Sequence, residues 1–92
     1  VALLGQPVVV HAATGDATLR RRWLEQAAPI TAVTITHPTA VVAASVTIGD
    51  GTFIGPRAVV NPRARIGGGV IVNSGAIVEH DCHVSDFVHL AP

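Results

Sequence analysis

The sequence has 92 residues, which suits one compact domain, or a small domain with part of a second, and excludes two full domains. Six basic residues balance six acidic ones, and charged residues make up 13% of the chain, about half the usual share. This charge content argues against a disordered chain and against a nucleic-acid-binding protein.

Two further features concern the compartment in which the protein works. No apolar run approaches the roughly 18 residues that a membrane span requires. Cys82 is the only cysteine, so an internal disulfide is impossible, and we expect a protein of the reducing cytoplasm. The chain begins inside an apolar stretch and stops just after a patterned segment, so we expect it to be a piece of a longer protein.

Residues 1–36 predict part of a small α/β, Rossmann-like domain. Pro7–Val10 is a β-branched run typical of a buried strand, and Ile30–Ile35 predicts a second one. Between them, Asp16 is a good N-cap for a helix that we expect to end at Pro29. A strand, a helix and a strand in this order predict two parallel strands.

The helix has two predicted faces. Leu19, Trp23 and Ala27 follow one another at intervals of four residues, so we expect them to pack the helix on the sheet. The three consecutive arginines 20–22 mostly occupy the remaining surface. We expect them to form a solvated face.

From Ala40 onward the sequence repeats every six residues. One position of the repeat is always aliphatic: Val42, Ile48, Ile54, Val60, Ile66, Val72, Val78, Val84 and Leu90. The residue two places before it is small or modest in size: Ala40, Val46, Thr52, Ala58, Ala64, Val70, Ala76, Cys82 and Val88. Pro, Gly, Asn and Asp collect between these positions, as tight corners require. The repeat predicts a parallel β-helix over residues 37–92, with three strands in each coil of about 18 residues.

Coils of this length stack each residue on the equivalent residue of the next coil, and Gly49 under Gly67 and Gly51 under Gly69 agree with that register. The stacked columns show where polar groups interrupt the pattern. These columns are Ala44, Pro62 and His80; Ser45, Arg63 and Asp81; Phe53, Ile71 and His89; and Gly55, Asn73 and Ala91. A further column, Thr47, Arg65 and His83, is polar throughout, so we expect His83 to be a solvated surface residue. Cys82 occupies an inward position, where we expect core packing rather than acyl-group transfer.

Three segments together resemble a known family: Ile35 to Ala40, Asn73 to Cys82, and Phe87 to Pro92. They are similar to the sugar O- and N-acyltransferases of the sialic-acid O-acetyltransferase type, which include bacterial UDP-4-amino-sugar acetyltransferases. The resemblance covers most of the chain and also includes a Gly-Asp turn like Gly15-Asp16 before an Arg-containing helix. It implies a left-handed β-helix preceded by a nucleotide-sugar-binding α/β domain. Further coils follow in that family, so the β-helix of this chain is expected to be incomplete at its C-terminal end.

The resemblance also implies an activity, namely acetyl transfer from acetyl-CoA to an amino or hydroxyl group of a sugar or nucleotide-activated sugar. His80 matches the general base and Asp81 the acidic residue that orients it. Asn73 and His89 match two further polar positions of the acetyl-CoA and acceptor site. Gly15 and Asp16 are the candidate binding residues of the α/β domain. A neutral imidazole suits the removal of a proton from an attacking amine or hydroxyl. No metal is implied.

The spacing of the two histidines predicts how the site is assembled. His80 and His89 are nine residues apart, which is half a coil, so they lie on different sides of one triangular turn. We therefore expect a site between neighbouring subunits of a homotrimer, with His80 from one subunit and His89 from the next.

Two other functions are compatible with the repeat. A metal-dependent hydratase resembling the γ-class carbonic anhydrases would hold zinc with three histidines, for which His80, His83 and His89 are the candidates. Their spacings of three and six residues do not match the gap of five in that family. The β-helix could instead be a non-catalytic assembly scaffold.

Overall fold

A computed structural model describes residues 9–28 and 30–92 of the chain. A short strand, β1 (Val9–Val10), is followed by the helix α1 (Ala17–Ala27) and by β2 (Thr31–Ala32). β1 and β2 are parallel, with Val9 opposite Thr31. The predicted order of strand, helix and strand is therefore confirmed for these residues, whereas Pro7, Val8 and Pro29 lie outside the described ones. The second strand is shorter than the expected Ile30–Ile35, because Ile35 belongs to a separate strand that pairs with Phe53 of the coils.

The remaining strands are all two residues long. They are β3 (Ile35–Thr36), β4 (Val41–Val42), β5 (Thr47–Ile48), β6 (Phe53–Ile54), β7 (Val59–Val60), β8 (Arg65–Ile66), β9 (Ile71–Val72), β10 (Ile77–Val78), β11 (His83–Val84) and β12 (His89–Leu90).

These strands form the three faces of a parallel β-helix. β3, β6, β9 and β12 make one face, β4, β7 and β10 the second, and β5, β8 and β11 the third. Every pairing joins residues that are one coil apart, for example Phe53 with Ile71 and Ile71 with His89. The predicted coil and its register are confirmed.

β3 is the first strand of its face of the β-helix. The backbone N–H of Ile35 in β3 donates to the carbonyl oxygen of Thr52 in the next coil at 2.9 Å. This strand lies on the N-terminal side of the boundary expected between residues 36 and 37. The division into domains itself stays a prediction.

The core of the β-helix is a narrow column of small and aliphatic side chains. It contains Ile54, Ala58, Val60, Ala64, Ile66, Val70, Val72, Ala76 and Val78. All of them occupy either the aliphatic position of the six-residue repeat (the hexad) or the position two residues before it. Both positions therefore point inward, as the repeat predicts. A column this narrow explains why the sequence uses so few aromatic residues.

The corners of the coil require an unusual backbone. Every sixth residue from 51 to 87 has a positive φ: Gly51, Arg57, Arg63, Gly69, Gly75, Asp81 and Phe87. Glycine adopts this conformation without a steric penalty, whereas a residue with a Cβ atom is strained there. Arg57, Arg63, Asp81 and Phe87 are therefore held in the left-handed region by the regular stacking of the corners.

Asp16 caps α1 as predicted, because its Oδ1 accepts a hydrogen bond of 3.0 Å from the backbone N–H of Leu19. The packing of the helix differs from the expectation in one respect. Leu19 and Ala27 are half-buried, but Trp23 is 44% exposed. Leu24 instead faces the coils, close to Gly51 and Gly69. These two glycines leave room for its side chain beside the corner.

The expectation of a fully solvated arginine face is wrong for Arg20, which is only 1% exposed. Its guanidinium donates to the carbonyl oxygens of Gly69, Thr14 and Phe87 at 2.7, 3.1 and 2.6 Å. Burial lowers the pKa of Arg20, and the charge of Asp16 raises it. Three carbonyl acceptors support the charged form, so the helix is attached to the β-helix by a buried cation.

Cys82 also differs from the expectation, since it is exposed rather than part of the core. It occupies the inward column above Ala64, but it belongs to the last coil that the structure describes. His83 is exposed, as predicted. Among residues 9–28 and 30–92 there is no helix with the length and apolar character needed to cross a membrane.

Candidate active site

His80 and Asp81 form a hydrogen-bonded pair at the corner that follows β10. The Nδ1 atom of His80 lies 2.7 Å from Oδ2 of Asp81. A carboxylate accepts hydrogen bonds, so the proton of a neutral imidazole lies on Nδ1 and the lone pair on Nε2. His80 is exposed, which leaves Nε2 accessible to a substrate.

Arg63 completes this corner from the coil below. Its Nε and Nη2 atoms donate to Oδ1 and Oδ2 of Asp81 at 2.8 and 3.0 Å, a bidentate ion pair. The hydrogen bond from Arg63, with a smaller contribution from His80, lowers the pKa of Asp81 to about 2 from its ordinary value of 3.8. Asp81 is therefore ionised at neutral pH and holds the imidazole in one tautomer.

A second group of polar atoms lies on another face. Asn73 follows β9 and His89 lies in β12, where the amide Nδ2 of Asn73 is 3.0 Å from Nε2 of His89. The backbone N–H of Ser74 donates to Oδ1 of Asn73 at 2.7 Å. Two hydrogen bonds thus fix the orientation of the Asn73 amide.

Asn73, His89 and Gly15 line a single cavity between the α/β unit and the β-helix. Its volume is about 380 Å³, and its walls are His11, Ala12, Ala13, Thr14, Gly15, Ile35, Phe53, Ile71, Asn73 and His89. The apolar side chains of β3, β6 and β9 form one wall, and the segment before α1 forms the other. A mostly apolar cleft with a few convergent polar groups is typical of a ligand site.

The structure thus brings three of the predicted site residues together and places the others elsewhere. Asn73, His89 and Gly15 share the cavity, whereas His80 and Asp81 lie at the corner after β10 on a different face. Asp16 is outside the cavity lining and caps α1, so its predicted role in binding stays a prediction.

Sequence reasoning missed the roles of Arg63 and Arg20. Arg63 was recognisable in principle, because it precedes Asp81 by one full coil and therefore lies directly beneath it in the stack. Arg20 gave no comparable signal, because α1 does not share the register of the coils.

The alternative of a three-histidine zinc site finds no support within one chain. In the part of the chain that the structure describes, no three His, Cys, Asp or Glu side chains come close enough to hold a metal ion. His89 is separated from His80 and His83 by its position on another face.

No protein-family model and no curated protein matches this chain. Several solved structures, however, are similar to it. The acetyltransferase domain of PglB from Neisseria gonorrhoeae FA1090 is similar with a TM-score of 0.85 and 38% identity, over 89% of this chain and 41% of that one. That domain has also been solved in complex with acetyl coenzyme A.

PerB from Caulobacter crescentus, solved in complex with CoA and GDP-perosamine, is similar with a TM-score of 0.89 and 35% identity, over 91% of this chain and 42% of that one. A histidine-to-alanine mutant of GDP-perosamine N-acetyltransferase from the same organism gives a TM-score of 0.89 and 34% identity, with 91% and 41% covered.

This chain spans about two fifths of the length of the structures it matches. The similarity extends over the α/β unit as well as the coils, since it covers 89% to 91% of this chain. The six-residue repeats stack in register from coil to coil, and the chain is similar to solved sugar acetyltransferases. The chain therefore belongs to the hexapeptide-repeat family of sugar acyltransferases, whose fold is a left-handed β-helix.

Proposed function

We propose that the protein transfers an acetyl group from acetyl-CoA to an amino or hydroxyl group of a sugar or nucleotide-activated sugar. The observation that supports it most directly is the hydrogen-bonded corner of Arg63, Asp81 and His80. This corner lies in a chain that is 34% to 38% identical to acetyltransferases solved with acetyl-CoA, or with CoA and GDP-perosamine. An accessible imidazole beside an ionised carboxylate is suited to general-base catalysis.

In the proposed reaction, Nε2 of His80 removes the proton of the attacking nitrogen or oxygen as that atom bonds to the acetyl carbon. The carbon–sulfur bond of the thioester then breaks, and the leaving thiolate takes the proton back from the imidazolium. Asp81 keeps the proton of the neutral ring on Nδ1 and stabilises the imidazolium that forms. Transfer is direct, with no acyl-enzyme intermediate.

The tetrahedral intermediate carries a negative oxygen, which needs hydrogen-bond donors. Asn73, His89 or backbone N–H groups are the proposed donors. Gly15 and Asp16, in the segment before α1, are proposed to contribute to binding the nucleotide-sugar. The cytoplasm is the proposed location.

We further propose a homotrimer whose subunits share the site. The face of β4, β7 and β10 presents Val41, Val59 and Ile77 outward, and Val41 and Ile77 are 63% and 60% exposed. An apolar strip of this kind is suited to burial against another subunit. The strip leads directly into the corner that holds His80, so a contact there would bring His80 to the subunit boundary.

The decisive experiment uses the complete protein with acetyl-CoA and a panel of acceptors, including GDP-perosamine, UDP-amino sugars and sialic acids. Release of free CoA thiol is followed, and we expect turnover with at least one nucleotide amino sugar. His80→Gln is expected to lower kcat by roughly 10²- to 10⁴-fold with a small change in KM, since it removes the general base.

The matched control is His83→Gln, because His83 is an exposed histidine three residues away. We expect it to retain the activity of the parent. Full activity of the His80 variant would refute the assignment of the base and favour a scaffold role for the coil.

A further inference from the structure

The hydrogen bonds around Asn73 determine which end of its amide faces His89. The backbone N–H of Ser74 lies 2.7 Å from the Asn73 side chain and can only donate. The atom that it meets is therefore the oxygen, Oδ1. The amide nitrogen, Nδ2, is left on the side of the histidine ring.

This orientation in turn determines the tautomer of His89. The amide nitrogen Nδ2 of Asn73 is 3.0 Å from Nε2 of His89 and can only donate a hydrogen bond. Nε2 must accept, so it carries a lone pair. The proton of the neutral ring then resides on Nδ1, which is the reverse of the tautomer that free neutral histidine prefers.

The protonated edge of His89 faces the cavity described above. A Cβ atom placed on Gly15 would lie 3.7 Å from Cε1 and 3.8 Å from Nδ1 of the imidazole, so this edge is turned toward Gly15. Within residues 9–28 and 30–92, Nδ1 has no hydrogen-bond partner. Its proton is thus available to a ligand that enters between Gly15 and the coils.

The other walls indicate what kind of ligand group this donor meets. Ile35, Phe53 and Ile71 line the β-helix side, and neither arginine nor lysine is among the lining residues. A diphosphate would be left there without a positive charge to neutralise it. An uncharged oxygen on a partly apolar group suits the cavity.

Of the donors proposed above, we infer that His89 and not Asn73 meets the substrate: Asn73 is a positioning residue, which holds His89 as the Nδ1–H tautomer and so provides this apolar cavity with one neutral donor for a carbonyl or hydroxyl oxygen of the bound substrate. The identity of that substrate as a sugar or an acetyl donor rests on the proposed function. The tautomer itself does not.

The test of the tautomer is ¹⁵N NMR of the histidine side chains in the complete protein. The chain has five histidines, and His89→Gln identifies the signals of His89 by their loss. Spectra are recorded at a pH high enough that the His89 signals no longer change. We expect a protonated Nδ1 and an unprotonated Nε2.

Asn73→Asp is the informative variant, because a carboxylate accepts where the amide donates. We expect it to move the His89 proton to Nε2. Asn61→Asp is the matched control, since Asn61 occupies the same position of the hexad on another face, and it should leave His89 unchanged. A parent with the proton on Nε2, or an Asn73 variant that keeps the Nδ1–H form, would overturn the inference.

A second readout concerns the donor role. The Asn73 variant turns Nδ1 into an acceptor, so we expect kcat/KM to fall by roughly 10²-fold, as for loss of one donor to a reacting oxygen. Unchanged kcat/KM alongside a reversed tautomer would refute the donor role. If the parent shows the Nδ1–H tautomer but transfers no acetyl group to any acceptor, the proposed function fails while the positioning of His89 stands.

Discussion

Nη2 of Arg20 donates a 2.6 Å hydrogen bond to the carbonyl oxygen of Phe87, a residue 67 positions further along the chain. The same guanidinium binds the carbonyl oxygens of Gly69, one coil below, and of Thr14, at the edge of the cavity. Phe87 is two residues before His89. Arg20 therefore fixes the distance between the segment before α1 and the face that carries His89.

Replacing Arg20 by Met is expected to destabilise the protein by on the order of 3 kcal/mol, because the buried carbonyl oxygen of Gly69 and the half-buried ones of Thr14 and Phe87 lose a charged donor. The measurement is the free energy of unfolding from denaturant titration. Arg22→Met is the control, since Arg22 is exposed on the same helix and should change stability by less than about 0.5 kcal/mol. Equal effects of the two substitutions would contradict the role given to Arg20.

The ion pair at the candidate active site predicts a pH dependence. Asp81 has a folded-state pKa of about 2, below its ordinary value of 3.8, so the stability it contributes is present above about pH 4 and is lost as the pH falls toward 2. Arg63→Gln removes the largest cause of this shift. We expect the pKa of Asp81 to rise toward its ordinary value while remaining below it, because His80 still donates.

NMR titration of the Asp81 carboxyl carbon measures this pKa directly. Arg65→Gln is a suitable control, since Arg65 is an exposed arginine two residues away from Arg63 and Asp81 receives no hydrogen bond from it. A pKa of Asp81 that stays near 2 without Arg63 would show that His80 alone, or another group, causes the shift.

The stacking of glycines predicts where a single methyl group is not tolerated. A Cβ atom on Gly49 would lie 2.5 Å from the backbone nitrogen of Gly68 and 2.6 Å from the carbonyl carbon of Gly67. Gly49→Ala must therefore separate two coils, and we expect a loss of about 1–3 kcal/mol of stability. Gly15→Ala meets only the ring of His89, at ordinary contact distances. Thermal unfolding of the two variants should show a clear drop in Tm for the first and little change for the second.

A site shared between subunits predicts that two inactive variants restore each other. When His80→Gln and His89→Gln chains are mixed, unfolded and reassembled together, we expect about one quarter of the subunit boundaries in a random trimer to hold both histidines. Thiol release from acetyl-CoA would return to roughly that fraction of the parent rate. No recovery in verified mixed trimers would show that each chain builds its own site, or that His89 serves another purpose.

The β-helix was predictable because its geometry is periodic. A residue at a hexad position has the same environment as the equivalent residue of the next coil, so Ile54 and Val72 reveal each other as core residues without any tertiary information. The coil register placed His80 above Pro62 and His89 above Ile71 on the same grounds. The likeness to solved structures then confirmed the family that the three matching segments had indicated.

Contacts outside the repeat were not predictable in this way. The burial of Arg20 depends on how α1 packs against the coils. In the sequence, Arg20 cannot be distinguished from the two arginines that follow it. Cys82 was wrongly expected in the core because the hexad specifies its direction but not whether another coil covers it. The hydrogen bond between Asn73 and His89 joins residues 16 apart. Stacked residues are 18 apart, so the repeat does not predict this contact.

The corner conformation has a consequence for how this protein tolerates change. Arg63 and Asp81 both adopt a left-handed backbone that glycine occupies freely at Gly51, Gly69 and Gly75 in the same phase of the repeat. A non-glycine residue in this conformation carries a local penalty of about 1 kcal/mol. Selection for heat resistance alone would therefore favour glycine at positions 63 and 81 and would remove the charged pair beside His80. Stability and the proposed catalytic role are thus expected to favour different residues at these two corners.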